Sequence, residues 1–328
     1  MTTVPATSDF VRDAIFISNS PLPDVIASIR LVALIPARTI GLRVLYFGAR
    51  MDAKGFLDKH RPSAIILTKA GEDGIVELAR AAAARHIPVA TTLCDHHFAG
   101  EIGRRNRQLC DLSKAIVVQT QPMAHEIFRH YGKSCAIIEE AVEYPRGQAQ
   151  FTPGRPLKGL WYGHQANHPT LAPGIAALGA AGLGPTKFIV VSNAVPDFMR
   201  GGFPGRPKDF DFDVVPWTIE AQYSTMAWCD FVFVPSSDTP DKRVKGHNRV
   251  VEAINAGRLA ITFPLPQYRE LADYTFCHAD YGASIRAALA DPQAAQMRIE
   301  NGQRYVDGRF AADIIAAKWR ELISGLSR

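Results

Sequence analysis

The chain has 328 residues, of which 47% are hydrophobic and 21% charged, and its formal net charge is +5. At about 150 residues per domain, this length predicts two soluble domains with substantial cores, and the composition does not predict disorder. The basic residues are dispersed and no aromatic-interleaved RNA motif occurs, so the charge favours a phosphate-bearing ligand over nucleic acid.

Short runs rich in Val, Ile, Leu and Phe alternate with helical patterns along the whole chain, which is typical of βαβ units and parallel sheets. In the first half the alanine-rich segment 76–85 predicts a helix. The predicted strands of this half are residues 14–18, 42–47, 64–68, 88–92, 115–119 and 135–138.

A linker is predicted at residues 140–156, where three prolines and two glycines interrupt the pattern. The alternation then resumes with strands at 159–162, 187–192, 212–215, 231–235 and 259–263 and helices at 169–181 and 219–227. We therefore predict two domains, 1–145 and 146–310, and a C-terminal helix, 311–328, that packs back toward the first domain. Two such domains commonly bind a ligand in a cleft between the carboxyl edges of their sheets.

The cysteines and the hydropathy predict where the protein works. Its five cysteines are far apart and lack the paired spacing of a zinc site, which indicates a reduced, cytoplasmic protein. Residues 1–10 lack a basic-then-apolar signal pattern, and no run approaches the ~18 apolar residues that span a bilayer. Any membrane contact is therefore expected to be peripheral, at the inner face.

A polar-faced helix is predicted after the strand at 231–235. At helical spacing Lys245, Asn248, Arg249 and Glu252 share one face, with valines and isoleucine on the other. The start of a helix that follows a strand favours an anion, the two cations add charge, and the carboxylate can accept hydrogen bonds from a ribose. This combination suits a nucleoside diphosphate. An ordinary solvated face with an Arg249–Glu252 ion pair explains the same pattern.

The strand at 159–162 runs directly into Gly163, His164 and Asn167, and a helix begins just beyond them. Glycine permits a close backbone approach, and the first turn of the helix has free N–H groups. This loop is a candidate for a second phosphate contact. The alternative is a plain strand-to-helix turn in which these polar residues cap the helix.

The strand at 88–92 ends in a loop that contains Asp95, His96 and His97. An acid beside two histidines could supply a general base, orient a sugar hydroxyl or bind a metal. Adjacent residues in extended structure point to opposite faces, so both histidines are not expected to bind one metal. The alternative is that they close the loop through hydrogen bonds.

Weaker candidates for contact with a second substrate follow two other strands. Ser28 and Arg30 come after the first strand and Lys69 after the third, and either cation could reach an acceptor or a phosphate. A lone lysine in such a place is commonly a surface residue. No Gly-x-Ser-x-Gly, Walker or Gly-x-Gly-x-x-Gly motif occurs, which argues against hydrolases, P-loop enzymes and standard dinucleotide enzymes.

These features together resemble the GT-B fold glycosyltransferases, above all the family 4-like bacterial enzymes that decorate cell-surface glycans. The resemblance covers most of the chain and is strongest at Asn248-Arg249-x-x-Glu252-Ala253-x-x-x-Gly257 followed by a strand. The other matching segments are residues 27–30, 94–98, 117–120, 160–164, 215–217 and 230–235.

The resemblance implies an α/β protein with two Rossmann-like domains whose parallel sheets face each other across a cleft. The C-terminal domain would bind the nucleotide-sugar, with Glu252 on the ribose, Lys245 and Arg249 on the diphosphate or sugar, and the Gly163 loop near the pyrophosphate. The N-terminal domain would bind a glycan, lipid-linked or protein acceptor. From that domain His96 or His97 would touch the donor sugar.

Two departures bear on the mechanism. Many family 4 enzymes carry a second glutamate eight positions before the one at Glu252, and here that position is Val244. The pair Asp211 and Asp213 lies before or within a strand, so we expect transfer without a metal or other cofactor, with protein cations stabilising the leaving diphosphate. If the enzyme inverts configuration, Asp95 or a histidine in the cleft is the expected base.

Two other functions stay open at this point. One is a polyol-phosphate transferase of the same fold that uses a cytidine nucleotide. The other is a catalytically silent protein that binds nucleotide-sugar or scaffolds a glycan-assembly complex.

Overall fold

A computed structural model of the chain describes residues 9–69, 73–200 and 205–328. The chain forms two compact units. The first contains residues up to Glu143 together with Arg243–Gly246 and Arg309–Arg328, and the second contains Tyr144–Lys242 and His247–Gly308. The sequence pattern assigns residues 243–246 to the second domain, whereas their contacts place them in the first.

The helices surround two sheets. In chain order they are α1 Asp9–Arg12, α2 Ala27–Ile29, α3 Ile35–Ile40, α4 Ala53–His60, α5 Asp73–Ala83, α6 Gly100–Leu112, α7 Gln121–Tyr131, α8 His168–Gly179, α9 Asp197–Arg200, α10 Ile219–Trp228, α11 Pro240–Arg243, α12 Asn248–Asn255, α13 Tyr281–Ala290, α14 Pro292–Arg309 and α15 Ala312–Leu326. Shorter 3-10 segments occur at Pro23–Val25, Gln165–Asn167 and Pro266–Tyr274, and a π-helical turn at Arg30–Leu34. None of the described helices combines the length and apolar character that crossing a membrane requires.

The sheet of the first unit has six parallel strands in the order β2-β1-β3-β4-β5-β6. They are β1 Ile15–Ser18, β2 Arg43–Tyr46, β3 Ile65–Thr68, β4 Val89–Thr92, β5 Ala115–Val118 and β6 Ala136–Ile137. Every residue of β1, β3 and β4 is buried, because parallel strands joined by helical crossovers are covered on both faces.

The last helix completes the core of the first unit. The indole of Trp319, on α15, is fully buried and meets the ring of Phe16, on β1, edge to face at 5.1 Å between centroids. Ile315 and Ile323 of the same helix lie in the same cluster. The first strand and the last helix of the described residues therefore stabilise one core.

The sheet of the second unit also has six parallel strands, in the order β9-β8-β7-β10-β11-β12. They are β7 Leu157–Gly163, β8 Thr186–Ser192, β9 Phe210–Pro216, β10 Phe231–Val234, β11 Leu259–Thr262 and β12 Phe276–Cys277. This is the Rossmann order, and it reverses direction between β7 and β10. The predicted α/β class with two Rossmann-like parallel sheets is confirmed, although β12 is too short to leave a sequence signal.

Candidate functional site

The point where the strand order reverses marks the candidate site of the second unit. In open parallel sheets a ligand binds beyond the carboxyl ends of the strands at this point, here the ends of β7 and β10. Gly163 is the last residue of β7. The chain then makes a 3-10 turn, in which His164 Nδ1 accepts a hydrogen bond from the Ala166 N–H at 3.2 Å, and α8 begins at His168.

Helix α12 brings a cation to the same edge of the sheet but starts later than the sequence suggests. It begins at Asn248 with His247 as its cap, so Lys245 lies outside the helix and off the face predicted for it. The N–H groups of Val250 and Val251 donate to the His247 carbonyl, and the Arg249 N–H donates to Asn248 Oδ1 at 2.7 Å. Fewer backbone donors are therefore free for an anion than predicted, and the side chain of Arg249 carries the charge.

The guanidinium of Arg249 lies against the end of β7. A Cβ added to Gly163 would sit 3.7 Å from Arg249 Nη1 and 3.1 Å from the Trp161 ring, so only glycine leaves this space open. Arg249 Nη1 is shielded from solvent, and within the described part of the chain it has no hydrogen-bond partner. An unmet buried donor costs about 1–3 kcal/mol, more when it is charged, so an anionic ligand here would satisfy it.

Tyr162 anchors this arrangement. Its hydroxyl donates to the Arg249 carbonyl at 2.9 Å and so ties the first turn of α12 to β7. Burial, and then the negative charge of Glu252, raise the pKa of Tyr162, so the phenol stays protonated and keeps donating. Tyr162 is a positioning residue that the sequence analysis missed. In the sequence it is recognisable only as part of an apolar strand.

Glu252 is less accessible than the polar-face pattern suggests. Its residue is only 4% exposed, and the neighbouring Val251 and Ala253 are buried as well. The contact of Glu252 with a ribose therefore stays a prediction.

Lys242, and not Lys245, lies beside the loop that follows β7. Lys242 Nζ donates to Asn167 Oδ1 at 2.9 Å, which places an ammonium next to one of the predicted donor-binding residues. The run Lys242-Arg243-Val244-Lys245 contains the signal for it. Spacing alone could not show which of its lysines faces the loop, because the chain leaves the second unit between them.

Lys245 instead belongs to the first unit, where it forms an ion pair with Asp95. Burial by itself raises the pKa of Asp95, but the Lys245 ammonium, with smaller contributions from Lys69 and His97, outweighs burial and holds the pKa below its usual value. The pair is anchored by its neighbour Val244, whose carbonyl accepts a hydrogen bond from Thr120 Oγ1 at 3.0 Å. Asp95 is therefore ionised, and it is a weaker base than an isolated aspartate.

This ion pair predicts a pH dependence of stability. A carboxyl whose pKa is lower in the folded than in the unfolded state stabilises the fold above the unfolded value, near pH 3.9, and this contribution disappears as the pH falls through the folded value. We expect Asp95→Asn to be less stable than the wild type at pH 7 and the difference to shrink below about pH 4. Urea unfolding at a series of pH values measures this difference. An unchanged gap down to pH 3 would contradict the assignment.

The two histidines after Asp95 contact different residues, as expected for adjacent positions in the chain. The His97 N–H donates to the Asp95 carbonyl at 2.8 Å, and its side chain is exposed. His96 Nε2 lies 3.5 Å from Glu126 Oε2 on α7. His97 is therefore the histidine associated with the Asp95 pair.

The predicted acceptor-side residues are only partly placed where a substrate could reach them. Arg30 is 4% exposed, and its Nε lies 2.8 Å from Glu143 Oε1, so it acts within the core instead of presenting a free cation. Ser28 is half-buried in α2. Lys69 directly follows β3 with a positive φ of 51° and acts electrostatically on Asp95. Lys69 remains a candidate, whereas Arg30 is not supported.

A cavity of about 370 Å³ occurs elsewhere in the second unit. It is lined by residues that include Lys158, Trp228 and Asp230, which lie where β7 and β10 begin. Ligands of open parallel sheets bind at the carboxyl ends of the strands, the opposite edge, so we do not place the donor site in this cavity.

Solved structures resemble this chain over nearly its whole length, and we describe three of them. Anabaena HepE in complex with UDP has a TM-score of 0.67 and 13% identity, covering 95% of this chain and 99% of that one. An E. coli protein described as trehalose-6-phosphate bound with UDP-2-fluoro glucose has a TM-score of 0.64 and 12% identity, covering 96% and 99%. A glycosyltransferase from Rickettsia africae has a TM-score of 0.60 and 12% identity, covering 96% and 98%.

At these identities the likeness shows the fold, and the fold is GT-B, as the sequence predicted. A scan against protein-family models found no match, and a search of curated proteins found none that was significant.

Proposed function

We propose that this protein is a glycosyltransferase that moves a sugar from a nucleotide-sugar to a glycan, lipid-linked or protein acceptor. The nucleotide we propose is UDP, since Anabaena HepE has been solved with UDP and with UDP-glucose and has the same fold. We place the reaction in the cytoplasm, in polysaccharide biosynthesis, with any membrane contact peripheral. The five cysteines, all free, are consistent with a reducing compartment.

The observation that carries this proposal is the buried Nη1 of Arg249 beside Gly163 at the reversal point of the second sheet. A diphosphate oxygen would supply the acceptor that this nitrogen lacks among the described residues, and an arginine fork suits phosphate geometry. Lys242, on α11, adds a second cation beside Asn167. The proposed donor-binding set is completed by Gly163, His164, Asn167, Asn248 and Glu252.

The chemistry follows from these charges. When the bond from sugar to diphosphate breaks, positive charge develops at the anomeric carbon and negative charge on the leaving oxygen. The Lys242 ammonium is held by Asn167, and the Arg249 guanidinium lies beside Gly163. Cations that are in place before the reaction stabilise a developing anion without reorganisation. We therefore propose transfer without a metal at the donor site, the protein cations taking the place of a divalent ion.

The proposed base follows from the state of Asp95. Its ion pair with Lys245 lowers its affinity for a proton, so an inverting reaction would be served better by the exposed His97 than by Asp95 itself. Lys245 then positions Asp95 instead of contacting the diphosphate.

One observation favours a second candidate, a catalytically silent protein that binds nucleotide-sugar. Val244 occupies the position where the resembling family carries its other glutamate, and it is 3% exposed within a core cluster of the first unit. This position cannot present a carboxylate to a sugar. Turnover, as opposed to binding, separates the two candidates.

A nucleotide screen tests the proposal. UDP at 100 times its dissociation constant should add about 2.7 kcal/mol to the stability of the protein, which a thermal-shift assay detects. Release of UDP from UDP-sugars, measured with a panel of glycan and lipid-linked acceptors, should show turnover; GDP- and CMP-sugars serve as comparisons. Binding of UDP without turnover on any acceptor would favour the silent binder. No stabilisation by any nucleotide would reject both candidates.

A further inference from the structure

We propose that His96, Glu126 and His130 form a binding site for a divalent transition-metal ion, with Zn²⁺ the best fit. One nitrogen of each histidine and one carboxylate oxygen of the glutamate lie within 4.8 Å of one another. All three residues belong to the first unit. The inference uses none of the residues of the donor site proposed in the second unit, and it does not depend on the proposed function.

The two distances from the carboxylate to the histidine nitrogens match the geometry of bound zinc, and the two nitrogens lie within 4.8 Å of each other. Glu126 Oε2 lies 3.5 Å from His96 Nε2 and 3.4 Å from His130 Nε2. Tetrahedral bonds of about 2.0–2.2 Å set neighbouring ligand atoms roughly 3.3–3.6 Å apart. Two imidazoles and one carboxylate are a ligand set that zinc accepts, with a fourth position left for water.

The local structure explains why these atoms meet. Glu126 and His130 are four residues apart on α7 and so project from the same side of the helix. His96 reaches them from the loop after β4. A pair of ligands fixed on one helix turn needs only a single residue from elsewhere, so little chain entropy is lost when the site closes.

Aromatic contacts already hold the loop to the helix. The Phe98 ring stacks on His130 at 4.3 Å with 9° between the planes, and it meets His96 edge on at 4.9 Å. Phe98 also lies 5.4 Å from the Tyr131 ring, and the Tyr131 hydroxyl donates to the Gly103 carbonyl at 2.9 Å. The histidine rings are therefore oriented before any ion binds.

Arg129 competes with a metal for two of the three ligand atoms. Its Nη2 lies 2.5 Å from Glu126 Oε2 and 3.1 Å from His130 Nε2, but the arginine side chain is 65% exposed. Exposed ion pairs of this kind contribute only about 0–1 kcal/mol, so a bound metal ion would displace the arginine at small cost. When no metal is present, the Arg129 guanidinium balances the negative charge of the Glu126 carboxylate.

A metal here would fix the loop that carries Asp95. His96 directly follows Asp95, so a bond from its ring to a metal on α7 would restrain the backbone on which the Asp95–Lys245 pair depends. The inferred role is structural, and it leaves the proposed metal-independent transfer unchanged.

Metal binding by the full-length protein tests this inference. Chelator-treated protein should bind one equivalent of Zn²⁺ in a competition titration with a chromophoric chelator. Co²⁺ in the same site should give the visible absorption bands of four-coordinate cobalt. His130→Ala should weaken Zn²⁺ binding by about 100-fold or more, because a direct ligand matters more than the outer groups whose loss costs 10–100-fold.

The matched control is His125→Ala, since His125 is also an exposed histidine on α7 but lies outside the cluster and pairs with Gln121. This variant should bind Zn²⁺ like the wild type. Glu126→Gln covers the case in which His130→Ala fails to fold, and circular dichroism shows whether each variant is folded. Equal weakening by the His125 and His130 variants, or no Zn²⁺ binding by the wild type, would overturn the inference.

Discussion

Replacing Arg249 with glutamine is expected to lower kcat/KM for a UDP-sugar by roughly 100-fold or more, about 2.7 kcal/mol of transition-state stabilisation. The buried Nη1 of this arginine faces the space that Gly163 leaves open, where we place the diphosphate. Glutamine keeps part of the side-chain length but removes the charge. UDP binding by calorimetry should weaken as well, since the charge acts on both the bound nucleotide and the leaving group.

The control is Arg304→Gln, which removes an exposed arginine of the same unit on α14. It changes the net charge equally but should leave binding and turnover within about twofold of the wild type, as expected for an exposed side chain away from the site. Full activity of a folded Arg249→Gln protein would show that the diphosphate lies elsewhere. An equal loss in both variants would point to a general effect of charge.

Replacing Trp319 with alanine is expected to destabilise the first unit by about 3–5 kcal/mol, the usual cost of truncating a buried tryptophan. The indole is fully buried and contacts Phe16 at the centre of the cluster formed by β1 and α15. Urea unfolding followed by circular dichroism measures the change. With two units the transition need not be two-state, so the first-unit transition must be followed separately.

Glu321→Ala is the comparison for this variant, because Glu321 is exposed on the same helix. It tests for a change in helix propensity alone and should alter stability by about 0.5 kcal/mol or less. A Trp319→Ala protein as stable as the Glu321→Ala protein would mean that α15 does not belong to the first core in solution.

The strands were the most predictable part of the fold. Buried parallel strands need unbroken apolar runs, and these runs mark segments such as 14–18 and 231–235 clearly in the sequence. The two-residue strand Phe276–Cys277 was missed, since it is defined by its pairing with β11 and not by a pattern of its own. Gly163 could be found because it ends such a run.

The residues of the candidate site could be predicted only where they lie on a single helix or directly after a single strand. Arg249 lies on the helix that the pattern predicts, but Lys245 does not, because the chain turns into the first unit before α12 begins. Helical spacing cannot detect that change of direction. The cluster of His96 with Glu126 was equally hidden, since it joins residues from a loop and a helix far apart in the chain.

The position of α15 determines the order in which the protein can be completed during synthesis. Domains commonly fold as units from the N-terminus as the chain emerges. Here the residues of the second unit have all been translated at Gly308, while the first unit still lacks the tryptophan that fills its centre. The first unit, most of which is translated first, must therefore finish folding last. A stop codon just before Trp319 would destabilise the first unit more than the second.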